Sequence, residues 1–175
     1  MLLGFMGCGK STLGPLLALC LGRPFRDLDQ EIAREAGRAV GELFAAEGEA
    51  AFRRRERAAF RRLAASFDGV LALGGGLPAE PGMAEELAAV EACLYLDAPL
   101  ETLLERLADP AAAARRPLLA ALPAAERPAF IGALHAGRDA AYRRAGRVVP
   151  LPAGESAVQH LDRLLAALGR PRGGA

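Results

Sequence analysis

One short stretch restricts the fold of this chain more than any other: a glycine-rich loop between an apolar run and a helical pattern. Residues 4–11 read GFMGCGKS and match the pattern G-x-x-x-x-G-K-[ST] in full. The glycines let successive backbone N–H groups wrap around a phosphate, and the helix that follows directs its positive end at the same anion. The pattern therefore predicts a strand, a phosphate-binding loop and a helix, in that order.

The side chains of this loop indicate the ligand. Lys10 is the only lysine of the chain and can place its charge on the β- and γ-phosphates, and the Ser11 hydroxyl can bind Mg²⁺. We therefore expect a nucleoside triphosphate with magnesium. The residues expected to hold the nucleotide are Gly7, Cys8, Gly9, Lys10, Ser11 and Thr12.

The rest of the chain alternates between two kinds of segment. Short apolar runs that favour strands occupy residues 2–5, 24–28, 69–73, 92–96 and 147–151. Helical patterns occupy about residues 10–21, 30–35, 40–65, 83–89, 100–108, 124–145 and 156–168. This alternation predicts an α/β fold with a parallel sheet and helices on both faces. The chemistry should then lie just beyond the carboxyl ends of the strands.

Composition excludes several classes of function. The 175 residues suit one domain, and a net charge of +1 gives no overall field for nucleic acid or an anionic membrane. The three cysteines lack metal-ligand spacing, which is typical of a reducing cytosol. No run approaches the ~18 apolar residues of a membrane span, and the start has no basic leader. We therefore expect a cytoplasmic protein without a nucleic-acid or membrane partner.

Two carboxylates come after the phosphate-binding loop (P-loop) in the chain, at the end of the second predicted strand. Strand alternation would put Asp27 and Asp29 on one side, where one could hold magnesium and the other could deprotonate an acceptor hydroxyl. The alternative is a solvated turn in which an aspartate caps the next helix.

A long predicted helix carries the run FRRRER. Most of these arginines fit a solvated face, but Arg53 has Glu49 four residues before it and Glu56 three residues after it. Both can steady its guanidinium for bidentate recognition of a carboxylate. The triplet Gly74, Gly75 and Gly76 follows the third strand, where it exposes backbone N–H groups or simply forms a tight turn.

Residues 108–130 differ from the rest because prolines interrupt a run rich in alanine. Proline ends helices and biases the preceding residue toward extended shapes. We interpret this segment as a mobile cover over the site, with a surface helical hairpin as the alternative. The tail after residue 168 is expected to fray.

Together these stretches resemble the shikimate kinase family. The resemblance rests on GFMGCGKST, DLDQEI, GELFAAEGEAAFRRRE, LALGGG, RRPLL and AAYRR, in the family's order and spacing across about residues 2–165. It implies a three-layer α/β/α P-loop kinase fold with a five-stranded parallel sheet, strand order 2-3-1-4-5, and a lid. The expected single domain has a core at 1–107 and 131–168, a substrate-binding helical region at about 30–62, a lid at about 108–130 and a disordered tail at 169–175.

The resemblance implies transfer of the γ-phosphoryl group of ATP to the 3-hydroxyl of shikimate. Lys10 would hold the phosphates, and Ser11 and Asp27 would place Mg²⁺, Asp27 through water. Arg116 would swing over as part of the lid and neutralise charge on the transferring phosphate.

On the acceptor side, the resemblance implies that Asp29 binds the shikimate hydroxyls and acts as the base. Arg53 and Arg143 would clamp the substrate carboxylate, and Gly75 and Gly76 would contact ring hydroxyls through their N–H groups.

Around the adenine, the resemblance implies that Arg106 stacks on one side and that the loop from Pro152 packs on the other. That loop, LPAGESA, lacks an arginine that some family members have. Cys8 stands where serine or alanine is usual, and Pro15 where a helix former is usual. The partners implied are ATP and shikimate, and a monomer is expected.

Two rival functions remain open. A kinase for another small metabolite, such as gluconate, would share Lys10, Ser11 and the lid but should lack the set formed by Asp29, Arg53 and Arg143. A nucleotide-binding module that does not turn over would have no need for a base. An adenylate-type kinase is less favoured because no second nucleotide pocket can be identified.

Overall fold

A computed structural model of the protein describes residues 1–114 and 116–170. Five parallel strands form one sheet in the order β2-β3-β1-β4-β5. They are β1 (Leu2–Leu3), β2 (Phe25–Asp27), β3 (Val70–Ala72), β4 (Leu94–Asp97) and β5 (Arg147–Pro150). The predicted fold class and strand order are confirmed.

Helices follow each strand. They are α1 (Lys10–Leu21), α2 (Leu28–Ala36), α3 (Val40–Ser66), α4 (Met83–Ala88), α5 (Leu100–Ala108), α6 (Pro110–Ala114), α7 (Pro117–Ala120), α8 (Arg127–Ala145) and α9 (Ala157–Ala167). Short 3₁₀ turns lie at Leu77–Ala79 and Ala124–Glu126. Helix α1 packs on α9, and α8 packs on α4 and α5. In the described residues, no helix is long and apolar enough to cross a membrane.

The central strands are buried on both faces, which explains their continuous apolar sequence. Leu2 and Leu3 of β1 are 1% and 0% exposed, and β1 pairs with β3 on one side and β4 on the other. The strand is shorter than the predicted run 2–5 because the chain turns at Gly4, where φ is +145°. The P-loop therefore begins at the carboxyl edge, in the middle of the sheet.

The end of β2 differs from the prediction. The strand stops at Asp27, whose Oδ1 accepts hydrogen bonds from the N–H groups of Asp29 (3.0 Å) and Gln30 (3.4 Å) and so caps α2. Asp29 therefore lies in the first turn of a helix. The prediction that strand alternation aligns the two carboxylates is wrong, because a helical turn determines where Asp29 lies.

Helix α3 is broken where the sequence predicts one continuous helix. Gly48 has φ 79° and ψ 168°, so two helices meet there at a kink. The second helix turns Phe52, Arg53 and Glu56 toward the core, and all three are buried.

The proline-rich segment folds into short helices. Helices α6 and α7 begin with proline, at a position that needs no backbone donor, and Pro123 precedes the 3₁₀ turn that leads into α8. At the other end of the chain, Gly169 and Arg170 close α9, with the Arg170 N–H donating to Leu165 O at 2.8 Å. The remaining predicted tail, residues 171–175, lies outside the described residues.

Candidate active site

The P-loop joins β1 to α1 at the carboxyl edge of the sheet. Gly9 has φ +109°, a conformation that side chains rarely adopt, and α1 begins at the next residue. Lys10 Nζ donates to the carbonyl oxygens of Gly4 (2.7 Å) and Phe5 (3.1 Å). Cys8, which is also predicted to hold the nucleotide, is 1% exposed and does not line the cleft beside the loop.

A cleft of about 460 Å³ opens beside this loop. Most of the residues predicted for the site line it: Gly7, Gly9, Lys10, Ser11, Thr12, Asp27, Asp29, Arg53, Gly75, Gly76, Arg106 and Arg116. The structure thus brings the P-loop, the aspartate pair, the arginine of α3 and the glycine triplet into one cavity.

Ser11 and Asp27 form an oxygen pair at the edge of the cleft. Ser11 Oγ lies 3.4 Å from Asp27 Oδ2, the carboxylate oxygen that does not cap α2. Hydroxyl and carboxylate oxygens suit Mg²⁺, which binds few protein ligands and completes its shell with water and phosphate oxygens. Among the described residues, no cluster of three or more histidine, cysteine or acidic side chains could hold a metal by itself. A hydroxyl and a carboxylate oxygen at this distance fit a magnesium ion that takes its other ligands from water and phosphate.

Asp29 is a second carboxylate that lines the cleft. Burial, and then the neighbouring Asp27 carboxylate, raise the pKa of Asp29 to about 6, while Lys10 and Arg53 act in the opposite direction. A carboxylate with a raised pKa is a better proton acceptor than an ordinary aspartate. Its position in a cleft with a perturbed pKa is typical of a functional group.

Arg53 is held by three carboxylates. Its Nη1 donates to Glu56 Oε2 (2.6 Å), its Nη2 donates to Glu49 Oε1 (3.1 Å), and its Nε lies 3.6 Å from Glu80 Oε1. The sequence predicts the first two contacts from helical spacing. Glu80 lies on a different segment, so local spacing could not have found it.

The glycine triplet packs directly on this cluster. A Cβ at Gly76 would lie 2.3 Å from Arg53 Nη2, so only glycine fits there. A Cβ at Gly74 would lie 2.1 Å from Glu56 Oε1 and 2.9 Å from Asp29 Oδ1. The triplet is therefore more than a tight turn, because its backbone forms the wall on which the cluster rests.

Arg143 lies outside the cleft. Its Nε donates to Asp139 Oδ2 (2.7 Å), its Nη2 donates to Asp97 Oδ2 (3.0 Å), and its guanidinium stacks on Tyr95. The arginine of α8 that lines the cleft is Arg138. The family resemblance implies that Arg143 and Arg53 form one clamp. The structure does not bring these two arginines together, and Arg138 lines the cleft instead.

A signal for Arg138 was present in the sequence. It shares a helical stripe with Ile131 and Tyr142, at spacings of seven and four residues, and both of those residues are buried. An arginine on a buried stripe usually has a partner or a ligand.

Of the two residues predicted to contact the adenine, Arg106 lines the cleft and Pro152 does not. Arg106 Nη1 donates to Gly7 O at 2.9 Å. His160 Nε2 lies 3.1 Å from Pro152 O, and Arg163 donates to both oxygens of Glu155 in the same loop. His160 therefore helps to hold this loop in place.

The proline-rich segment contributes Arg116, Pro117 and Leu118 to the cleft. The Arg116 guanidinium donates to Ala112 O. The predicted lid arginine therefore faces the same cavity as Lys10.

Glu56 gives the first testable prediction, which concerns stability. Burial raises its pKa from 4.5 to about 7, and this effect exceeds the opposing effect of Arg53. Between these values the folded chain retains a proton that the unfolded chain releases, so stability falls as pH rises. From pH 5 to pH 8, the free energy of unfolding of the wild type should fall by roughly 1–3 kcal/mol more than that of Glu56→Gln.

Urea unfolding of both proteins at several pH values measures this difference. Gln keeps the shape of the side chain and an acceptor for Arg53, so the variant should fold. A difference in unfolding free energy that does not change with pH would show that Glu56 titrates normally in the folded protein.

Comparisons with known proteins agree with this geometry. The family model described as shikimate kinase matches residues 6–168. A shikimate kinase of Symbiobacterium thermophilum is 44% identical over 143 residues, covering 77% of this chain and 82% of that protein. One of Salinibacter ruber is 50% identical over 121 residues, covering 67% of this chain but 57% of that protein.

Solved structures lead to the same family. The structure described as shikimate kinase from Acinetobacter baumannii in complex with shikimate has a TM-score of 0.84 at 32% identity, covering 96% of this chain and 91% of that one. Shikimate kinase from Bacteroides thetaiotaomicron has a TM-score of 0.84 at 31% identity, covering 96% of both chains. The chain belongs to the shikimate kinase family, whose members are ATP-dependent kinases that phosphorylate a hydroxyl group of shikimate.

Proposed function

We propose that this protein transfers the γ-phosphoryl group of ATP to the 3-hydroxyl of shikimate. The observation that carries the proposal is one cleft in which the P-loop lysine, the Asp29 carboxylate with its raised pKa, and Arg53 and Arg138 converge. The acceptor would be a small molecule with one carboxylate and several hydroxyls, because arginines, a carboxylate and backbone donors recognise those groups.

The donor side follows from the P-loop. Its backbone N–H groups surround the phosphates, and Lys10 exchanges its bonds to loop carbonyls for phosphate oxygens. Ser11 and Asp27 would hold Mg²⁺, which supplies charge to offset the negative charge of the phosphates. Arg106 and the loop at Pro152 would flank the adenine.

On the acceptor side, Asp29 would bind the reacting hydroxyl and take its proton as the new O–P bond forms. Arg53, held by Glu56 and Glu49, would grip the substrate carboxylate. Arg138 replaces Arg143 as the second arginine of this clamp, because it lines the cleft. The N–H groups of Gly75 and Gly76 would donate to oxygens of the substrate.

The segment 108–130 would act as the lid. Closure would bring Arg116 onto the transferring phosphate and exclude water, which would otherwise accept it. We place the reaction in the cytosol and expect a monomer with ATP and shikimate as its small-molecule partners. The rival binding module is not favoured, because Asp29 faces the cleft as a candidate base and a module that only binds a nucleotide needs no base.

The proposed function is tested by ADP release in a coupled assay with ATP and Mg²⁺. Three reactions are compared: one without acceptor, one with shikimate and one with gluconate. We expect turnover that depends on shikimate. Turnover only with gluconate would be consistent with the fold and the P-loop but would contradict the proposed arginine clamp for the shikimate carboxylate. Tight ATP binding without turnover on either acceptor would favour the binding module.

A further inference from the structure

A buried tyrosine of α8 is bonded to the glycine turn of the cleft. Tyr142 is 0% exposed, and its hydroxyl donates to Gly75 O at 2.6 Å. Its ring packs on Tyr95, with ring centroids 5.1 Å apart. Because Tyr142 is fully buried behind the cleft wall, it cannot contact a ligand itself. Its hydroxyl also interacts with the Arg138 guanidinium, so it can influence a ligand through that side chain or through the peptide that it binds.

The geometry of that peptide decides where the next N–H group points. A trans peptide is planar, so the C=O of Gly75 and the N–H of Gly76 point in opposite directions, and the described residues contain no cis peptide. Tyr142 draws the carbonyl oxygen toward the core. The Gly76 N–H is therefore directed to the other side, where both glycines line the cleft. Among the described residues this N–H donates to no backbone carbonyl.

A peptide between two glycines is the one most free to rotate. Neither residue has a Cβ, so both tolerate φ values of either sign, and a flip of the peptide plane meets little steric resistance. An external hydrogen bond is then the simplest way to keep one orientation. Burial raises the pKa of the Tyr142 phenol, so the hydroxyl remains a donor at every physiological pH.

We propose that Tyr142 is a positioning residue that holds the Gly75–Gly76 peptide with the Gly76 N–H directed at the bound acceptor. The proposal rests on shikimate binding in this cleft, as proposed above. Arg138 lies four residues before Tyr142 on α8, so one helix would position both a side chain and a backbone donor for the same substrate.

The variant Tyr142→Phe tests this role because it removes only the hydroxyl and keeps the ring packed on Tyr95. We expect the KM for shikimate to rise about tenfold, since a flipped peptide withdraws one hydrogen bond from the substrate. The KM for ATP should stay near the wild-type value, because the nucleotide is held by the P-loop.

The matched control is Tyr95→Phe. It removes a hydroxyl from the same stacked pair, but that hydroxyl donates to Asp139 at 3.0 Å and not to the glycine turn. The KM for shikimate should not change in this variant. A second measurement follows the Gly76 amide in ¹⁵N-glycine-labelled protein. Shikimate should shift this resonance in the wild type and in Tyr95→Phe, and much less in Tyr142→Phe.

Three results would overturn the proposal. If Tyr142→Phe leaves the Gly76 amide response to shikimate unchanged, the hydroxyl does not position the peptide, and any rise in the shikimate KM acts through Arg138. If it raises the KM of ATP and shikimate equally, its role is general stability. Wild-type turnover that does not require shikimate would overturn the proposed function itself, and this role of Tyr142 with it.

Discussion

Replacing Asp29 with asparagine is expected to lower kcat by a factor of about 10²–10⁴, the range that a positioned general base contributes. Asparagine keeps the size of the side chain and can still bind a substrate hydroxyl, but it cannot accept the proton. The raised pKa of Asp29, about 6, makes the native carboxylate basic enough for that step while it remains mostly ionised at neutral pH.

The affinity for ATP should change little in Asp29→Asn, because the P-loop and the oxygen pair of Ser11 and Asp27 are intact. Steady-state kinetics gives kcat, and nucleotide titration gives the affinity for Mg·ATP. Asp97→Asn is a suitable control, since Asp97 also lies at the carboxyl edge of the sheet, at the end of β4, but binds Arg143 outside the cleft. A parallel loss of ATP binding in Asp29→Asn would place Asp29 at the metal and contradict this division of roles.

The second large effect is expected from Arg138→Met. Loss of one arginine from a buried carboxylate clamp should raise the KM for shikimate about 100-fold, because the substrate carboxylate then enters the cleft with one charged partner missing. Methionine keeps most of the length and apolar contact of the side chain. The KM for ATP should change much less.

Arg143→Met is the matched comparison on the same helix. Arg143 is 47% exposed and bound to Asp97 and Asp139, and an exposed ion pair of this kind contributes little. The KM for shikimate should change less than about fivefold. The opposite pattern, a large effect at Arg143 and none at Arg138, would restore the clamp that the sequence predicts.

The two arginines show why sequence analysis failed at this point. They lie five residues apart on α8, which is about 140° around a helix, so they cannot face the same side. The helical stripe that Arg138 shares with Ile131 and Tyr142 favours it over Arg143, but the burial of those two residues is known only from the structure. Only the packing of α8 on the sheet turns Arg138 to the cleft and leaves Arg143 with two carboxylates at the surface.

Asp29 and Glu80 illustrate the same limit in other ways. Strand alternation predicts that Asp27 and Asp29 share a side, but Asp27 caps α2 and a helical turn places Asp29. Glu80 approaches Arg53 from a separate segment, more than twenty residues along the chain. Contacts that depend on where one element ends, or on how two elements pack together, leave no pattern in the local sequence.

The sequence by itself determined the features whose chemistry is contiguous. The P-loop, its lysine and serine, the bracing of Arg53 by Glu49 and Glu56, and the alternation of strands and helices all depend on spacing within one element. The tertiary structure alone decided which side chain of α8 enters the cleft, where α3 is kinked, and that Tyr142 binds the glycine turn. The physical reason is that helical phase and close packing are set by the whole core, whereas hydrogen bonds within a turn or a loop are set by neighbouring residues.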